Sequence, residues 1–488
     1  MKKIILGFFG YFLILLAGCM TIPLLLALVY GEGHCARAFV VSILIALVPG
    51  ILIRLTTHAS LSASKLKLRY SYFIVTASWI IASILGALPY VISGSIPDFI
   101  DAVFETASGF TTTGSTILPD MDSLPKSILF WRSLTQWLGG MGIIVLFVAL
   151  LPDFGIKSRN IAGAETPGPT ITKISSRFSG TARMLYMAYV VLTVAEVVFL
   201  LFGGMSLYDA VNHALTTMAT GGYSTHTAGI AYFDSTYITW VFTVFMFLAG
   251  TNFNLFFVAF QSGPRKAFSD EEFRFYAVSV LIAIVLIVIN LMTQGGYDSF
   301  GQALTDSAFQ VVTVITTTGY ATVDFSLWPA FSQMLLILLM FTGASSSSTA
   351  GGIKEIRVLV FIRMIKYEAK RILHTNIVED IRYNGKKMLP ETLTFILTFI
   401  TTYIITLIAA TFLLSLTGAG NLVTNFTAVL TCISNVGPGL DLVGPVCNFS
   451  FYSGFAKILL SLVMIAGRLE LSTFMLFFTS YFWRPEKV

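Results

Sequence analysis

Four short segments of this chain can be laid over one another, and that repetition limits the fold more than any other feature. Aligned on one glycine each, they read DAVFETASGFTTTG (101–114), DAVNHALTTMATGG (209–222), DSAFQVVTVITTTG (306–319) and TNFTAVLTCISNVG (424–437). Three begin with an aspartate thirteen residues before the glycine, namely Asp101, Asp209 and Asp306, and the fourth begins with Thr424. Two residues before the glycine stand Thr112, Thr220, Thr317 and, in the fourth copy, Asn435. The glycines themselves, Gly114, Gly222, Gly319 and Gly437, lie 108, 97 and 118 residues apart. A self-similar period of this size marks one structural unit used repeatedly.

Composition says where the units reside. Of 488 residues 56% are hydrophobic and only 11% charged, against about 25% charged in soluble domains. The mean hydropathy of +0.82 agrees. A soluble enzyme, a nucleic-acid-binding protein and a disordered chain are excluded, and an integral membrane protein remains. Ten apolar segments are long enough to span, near 4–30, 36–56, 71–93, 128–151, 184–204, 236–260, 276–293, 330–350, 392–416 and 455–481. The repeated segments, near 99–112, 207–220, 301–317 and 423–434, are too short to span and read as re-entrant half-helices. The N-terminal run looks like a signal peptide with a lipoprotein-like box at Cys19, but it stays apolar to about Tyr30 and is read as a retained helix. Cys19, Cys35, Cys432 and Cys447 have no metal spacing and form no disulfide framework.

Charge orients the spans. With a cytoplasmic N-terminus, inner segments hold 25 of the 30 Lys and Arg with 11 acids, and outer segments hold 4 with 12 acids. This is the positive-inside bias, and it predicts an even number of spans with both termini in the cytoplasm. The expected architecture is an all-α polytopic membrane protein. Four units of span, pore helix and span surround a pseudo-fourfold pore, after a two-helix extension over 1–68. The units cover 69–182, 183–272, 273–388 and 389–488.

Each unit has a legible physical task. The aspartate can cap, and favours, the half-helix N-terminus. The C-terminal end carries partial negative charge that suits a cation. The glycine then permits positive φ or close backbone approach. Irregular backbone at membrane depth must be buried or line a cavity. Four such strands around an axis present rings of carbonyl oxygens that replace the hydration shell of a monovalent cation. Acidic outer loops would concentrate cations at the mouth.

With the motifs SGFTTTGSTIL (108–118), MATGGYSTH (218–226), TTTGYATVD (316–324), SNVGPGLD (434–441) and GASSSSTAGGIK (343–354), the chain resembles the membrane subunit of the bacterial Trk potassium uptake systems. That group sits in a superfamily with the Ktr and plant high-affinity potassium transporters. The resemblance spans essentially the whole chain. It implies an inner-membrane protein, K+ as transported ion with rubidium permeant, no covalent cofactor and no catalysis. It also implies a homodimer and a cytoplasmic ring partner with nucleotide-binding domains. The implied ion-binding residues are Thr112, Thr113 and Gly114; Thr220, Gly221 and Gly222; Thr317, Thr318 and Gly319; and Asn435, Val436 and Gly437. A serine at the first glycine accompanies sodium preference in related plant proteins, so Gly114 favours potassium. The departure from the TVGYG pattern, greatest at Asn435 and Val436, points to looser selectivity.

Gly343, Ala344, Ser345, Ser346, Ser347, Ser348, Thr349, Ala350, Gly351 and Gly352 interrupt the second span of the third unit. Ten small residues hold a helix poorly. They suit a cavity-lining loop, or else a close helix-packing surface. The resemblance makes them the gate beneath the filter. It also places Arg468, a charge within the last span, as an electrostatic barrier against the loop. Paired instead with a distant acid such as Glu196, Arg468 would be structural. Lys354 reads as an interfacial anchor and His213 as a packing residue. The basic linker containing Lys366, Lys370, Arg371, Lys386 and Lys387 is a solvated run or a docking surface. No HExxH, Cys/His cluster, P-loop or dinucleotide fingerprint occurs, so nucleotide control would come from the partner. The rival class is a secondary cation symporter with a broken-helix midplane site. An intramembrane serine enzyme lacks a base near the serine run.

Overall fold

Apolar helices of full and half length carry the architecture, and a computed structural model describes residues 2–57, 68–142, 178–374 and 379–469 with residues 471 and 474. Helix α1 (Lys2–Val29) continues past Cys19 without a break and returns through Gly31 as α2 (Gly33–Thr57). The pair crosses at Gly10 and Gly50, where an added Cβ on either would lie within 3.1 Å of the other's carbonyl oxygen. Small residues allow this close approach, which drives association in lipid where burial of apolar surface contributes little.

Four helix triplets follow. The first has α3 (Leu68–Gly86), a short continuation α4 (Leu88–Ser93), half-helix α5 (Phe99–Phe110) and α6 (Lys126–Gly140). The second has α7 (Phe178–Phe202), half-helix α8 (Leu207–Met218), α9 (Thr236–Ala249), α10 (Phe253–Ser262) and a short α11 (Pro264–Phe268). The third has α12 (Glu271–Gln294), half-helix α13 (Phe300–Ile315), α14 (Ala330–Thr342) and α15 (Glu355–Leu373). The fourth has α16 (Pro390–Ser415), half-helix α17 (Leu422–Ser434) and α18 (Gly454–Arg468). One hairpin departs from the all-α pattern. Strands β1 (Arg382–Tyr383) and β2 (Lys386–Lys387) join through Asn384 and Gly385, both at positive φ as a tight hairpin turn requires.

Packing closes the triplets into a circle. Each half-helix packs on its own flanking helices, and the outgoing helix of one triplet packs on the half-helix of the next: α6 on α8, α9 on α13, α14 on α17 and α18 on α5. The half-helices are buried; Phe104, Met218, Phe309 and Leu430 are closed from solvent. The outward faces of α7, α12 and α16 instead expose Val191, Val194, Leu281, Ile282, Ile405 and Ile408. A belt of this kind belongs in lipid.

Two expectations need correction. The repeated aspartates do not cap the half-helices. Asp98, Ser206 and Asn421 do, each three residues before the aligned Asp101, Asp209 or Thr424, and Ser299 caps α13 seven residues before Asp306. The cap must leave the helical backbone, and the turn before these aspartates is already helical, so Asp101 and Asp209 occupy the first turn instead. Nor is the second span of the second unit continuous. Six helices are long and apolar enough to cross a membrane, or up to seven counting one bent pair, among the described residues. The segment expected as one span over 236–260 bends by 87° between α9 and α10. Asn252 caps α10, and the Gly250 carbonyl and Phe253 N–H freed at the bend bond to Ser345 and Ser347 of another segment. Tertiary partners for the freed backbone groups make the break tolerable at membrane depth. Of the spans expected over 128–151 and 455–481, the parts beyond 142 and most of those beyond 469, including Glu470, lie outside the described residues.

A candidate ion-conduction pathway

Each half-helix ends at the middle of the circle and delivers a strand of repeated geometry. Thr112, Thr220, Thr317 and Asn435 all take left-handed backbone, with φ of 55°, 54°, 56° and 57°. The glycines two residues on, Gly114, Gly222, Gly319 and Gly437, sit at 85°, 75°, 82° and 104°. The intervening Thr113, Gly221, Thr318 and Val436 do not have positive φ. A β-branched threonine rarely takes this region, so three at equivalent positions mean that the surroundings impose it.

The strands meet in cyclic order. A Cβ added to Gly114 would collide with the carbonyl oxygen of Gly221, one on Gly222 with that of Thr318, and one on Gly319 with that of Val436. Gly437 closes the circle, its added Cβ falling 2.8 Å from the carbonyl oxygen of Thr113. All twelve residues expected to bind the ion are thus brought together, with each glycine beside the carbonyl of the next repeat. Four helix C-termini converge on this ring and turn the negative ends of their dipoles toward it.

Outside the ring opens a cavity of about 590 Å³, lined by the four glycines and by Asp122, Asp324, Tyr223 and Tyr320. Asp122 Oδ1 lies 2.7 Å from His226 Nδ1. Partial desolvation raises the Asp122 carboxyl, but hydrogen bonds from His226 and Thr227 outweigh it and hold the group below its usual range. The acid therefore stays ionised at the mouth.

Inside the ring lies the small-residue loop. It is irregular from Gly343 to Gly352, and Ala344, Ser345 and Thr349 are fully buried. The Gly351 N–H donates to Thr317 Oγ1 at 2.7 Å, and Thr349 Oγ1 donates to the Met218 carbonyl at 3.0 Å. A Cβ on Gly351 would strike the Ser434 carbonyl. Ser346 donates to Glu272 from its N–H at 2.5 Å and its hydroxyl at 2.8 Å. Ser348 Oγ donates to the Ser345 carbonyl, and the Ala350 N–H to Ser348 Oγ. Arg468 donates to the Thr349 carbonyl at 2.7 Å, to Gly139 at 2.8 Å and to Gly140. Loop and arginine together reach all four triplets immediately beneath the ring. Lys354 is not the interfacial anchor expected. It is 2% exposed and its Nζ folds back to the Ala350 carbonyl, because a backbone at φ 81° turns the residue into the loop. His213 packs as expected, against Phe233, Phe242 and Tyr320.

Several residues around the site escaped the sequence reading. Glu272, one of the acids counted in the inner segments, anchors Ser346. Glu105 and Arg132, counted only as outer charges, form a closed ion pair at 2.7 Å. Gln136 donates to the Gly221 carbonyl at 2.6 Å. A signal for Glu105 was present: the fifth column of the aligned repeats reads Glu105, His213, Gln310 and Ala428, with a large polar side chain in three of the four.

Known proteins resemble this arrangement along the full chain. A family model described as TrkH, cation transport protein, matches residues 36–484. The Trk system potassium uptake protein TrkH of Salmonella typhimurium is 38% identical over 97% of this chain and 98% of its own. The Trk system potassium uptake protein TrkG of Escherichia coli is 32% identical, over 97% of each. The crystal structure of the potassium transporter TrkH from Vibrio parahaemolyticus superposes with a TM-score of 0.88 at 34% identity, covering 99% of this chain and 100% of that one. The chain belongs to the TrkH family of cation transport proteins, which are transporters and not enzymes.

Proposed function

We propose that this protein takes up potassium across the bacterial inner membrane, passing the ion through the ring formed by Thr112–Gly114, Thr220–Gly222, Thr317–Gly319 and Asn435–Gly437. The observation that carries this reading is the closed cycle in which each glycine abuts the next repeat's carbonyl. Four negative helix ends and an ionised acid at the outer cavity support cation entry. The repeat units run over 69–182, 183–272, 273–388 and 389–488, after the extension over 1–68, with both termini in the cytoplasm.

Residues 343–352 with Arg468 act as the gate. Support comes from the loop's position against Thr317, Met218 and Ser434 and from the three carbonyls that Arg468 joins. A cytoplasmic nucleotide-binding ring controls that gate, and the protein works as a homodimer; both follow from the resemblance to the Trk systems.

Rubidium uptake in cells lacking other potassium uptake tests the reading. Wild type should restore uptake, Gly319→Ala should lose most of it, and Gly114→Ser should admit sodium. Uptake indifferent to both substitutions would remove the ring from the pathway.

A further inference from the structure

The four strands share one backbone geometry but not one support. Nine residues before the glycine, three of the four half-helices direct a buried polar side chain at the segment leaving the ring. In repeat 1 this is Glu105, which accepts from Thr116 Oγ1 and from the Ile117 N–H at 3.0 Å each. In repeat 2 it is His213, whose Nδ1 donates to the Asp209 carbonyl, leaving Nε2 to accept from Ser224 Oγ at 3.0 Å. In repeat 3 it is Gln310, which reaches Thr322 Oγ1 at only 3.4 Å. In repeat 4 the position holds Ala428, and the neighbouring Thr427 Oγ1 accepts the Leu440 N–H at 3.1 Å instead.

A second series joins the repeats. The tyrosine after the repeat 2 glycine, Tyr223, donates to the Glu105 carbonyl at 2.8 Å. Its counterpart Tyr320 in repeat 3 donates to the His213 carbonyl at 3.2 Å. Repeat 4 has Pro438 at this position, which has no side-chain donor. Arg132 makes the first junction the strongest. Its Nε donates to Glu105 at 2.9 Å, its Nη1 to the Ser224 carbonyl at 3.3 Å, and its guanidinium lies 3.9 Å from the Tyr223 ring centre. Glu105 and Arg132 are 0% and 1% exposed.

We propose that the Glu105–Arg132 pair is a specificity-positioning brace. It holds the outer segments of repeats 1 and 2 at fixed separation and so sets the discrimination of potassium from sodium. The inference rests on the ring being the filter. A ring of oxygens can refuse the smaller ion only if it resists closing around it, and resistance must come from rigid contacts behind the strands. A charged, fully closed pair with hydrogen bonds to both exit segments supplies that rigidity on one side. The opposite side, around Ala428 and Pro438, is tied by neutral hydrogen bonds such as Leu440 N–H to Thr427 Oγ1. Glu105 and Arg132 act through the strands, so they position and do not coordinate.

The test is rubidium uptake with sodium competition in whole cells, with protein amount and thermal unfolding recorded in detergent. Glu105→Gln keeps the shape and removes the charge. Rubidium uptake should persist while preference over sodium falls about five- to tenfold, as for removal of one charge-assisted hydrogen bond. Tyr223→Phe removes a neutral bond and Thr116→Val removes the hydroxyl's bonds to the ion pair; both leave Glu105 and Arg132 paired, and each should lower preference by about two- to threefold. They carry the test if Glu105→Gln does not accumulate. Gly114→Ser runs alongside. If it alters preference while all three brace variants, stably folded, leave it unchanged, the brace is overturned and the filter stands. If none of the four alters preference, the filter reading falls too.

Discussion

The first and fourth repeats reach the same backbone shape by different means. Thr112 adopts a φ of 55° against its own β-branching, whereas Asn435 adopts 57° with a side chain that tolerates the left-handed region. Beyond the repeat 1 glycine, Thr116 and Ile117 donate to an ion pair closed from water; at Asn435 the residue's own amide donates to Thr113 Oγ1 at 2.9 Å and to the Met464 carbonyl at 3.0 Å. Repeat 1 is held by its scaffold, and repeat 4 largely by its own residue choice. The difference teaches that equivalence in this ring is a property of the backbone, with each repeat free to stabilise it separately.

The sharpest way to break that comparison is to add one methyl to each glycine. Gly114→Ala, Gly222→Ala and Gly319→Ala would each collide with a neighbouring carbonyl, and left-handed alanine adds about 1–2 kcal/mol. These three should lose most of their rubidium uptake, and what remains at Gly114 should discriminate less against sodium. Gly437→Ala, whose nearest oxygen is at 2.8 Å, should keep more uptake than the others. Equal losses at all four would mean that repeat 4 is no softer than the rest.

A smaller effect is expected beneath the ring. Arg468→Ala removes donors to Thr349, Gly139 and Gly140. Basal rubidium flux into liposomes should rise about tenfold, the scale of a single charge-assisted hydrogen bond. Unchanged flux through a folded protein would argue against a barrier. Glu272→Gln weakens only the hold on Ser346 and should raise the same flux by about two- to fivefold.

The smallest expected change comes from exchanging the repeats' own residues. Thr112→Asn should be tolerated, with unfolding temperature unchanged or slightly raised. Asn435→Thr should lower it, since it introduces β-branching at positive φ and deletes the amide's bonds to Thr113, Cys432 and Met464, together about 1–3 kcal/mol. Thermal unfolding in detergent measures both.

Much of the architecture was legible beforehand. The half-helices expected over 99–112, 207–220, 301–317 and 423–434 appear as Phe99–Phe110, Leu207–Met218, Phe300–Ile315 and Leu422–Ser434. Their apolar content, length and glycine register are local properties. The caps were misplaced because Ser, Asp and Asn all suit that role, and only helix geometry selects Asp98, Ser206, Ser299 and Asn421. The break after Ala249 was illegible for another reason. Gly250, Thr251 and Asn252 sit in a run apolar enough to span, and the partners that stabilise the bend, Ser345 and Ser347, lie about a hundred residues away.

By itself the sequence determined that the chain enters a membrane, that one unit recurs four times, and that each unit ends in a polar, glycine-marked turn. Hydropathy and spacing carry such facts because lipid demands paired backbone groups along every segment. Only the tertiary structure decided the cyclic order of the strands, the burial of Lys354, the seat of Arg468 and the unequal bracing of the ring. Those depend on which distant carbonyl or carboxylate meets each donor, and such meetings follow from the packing of helices, not from any one of them.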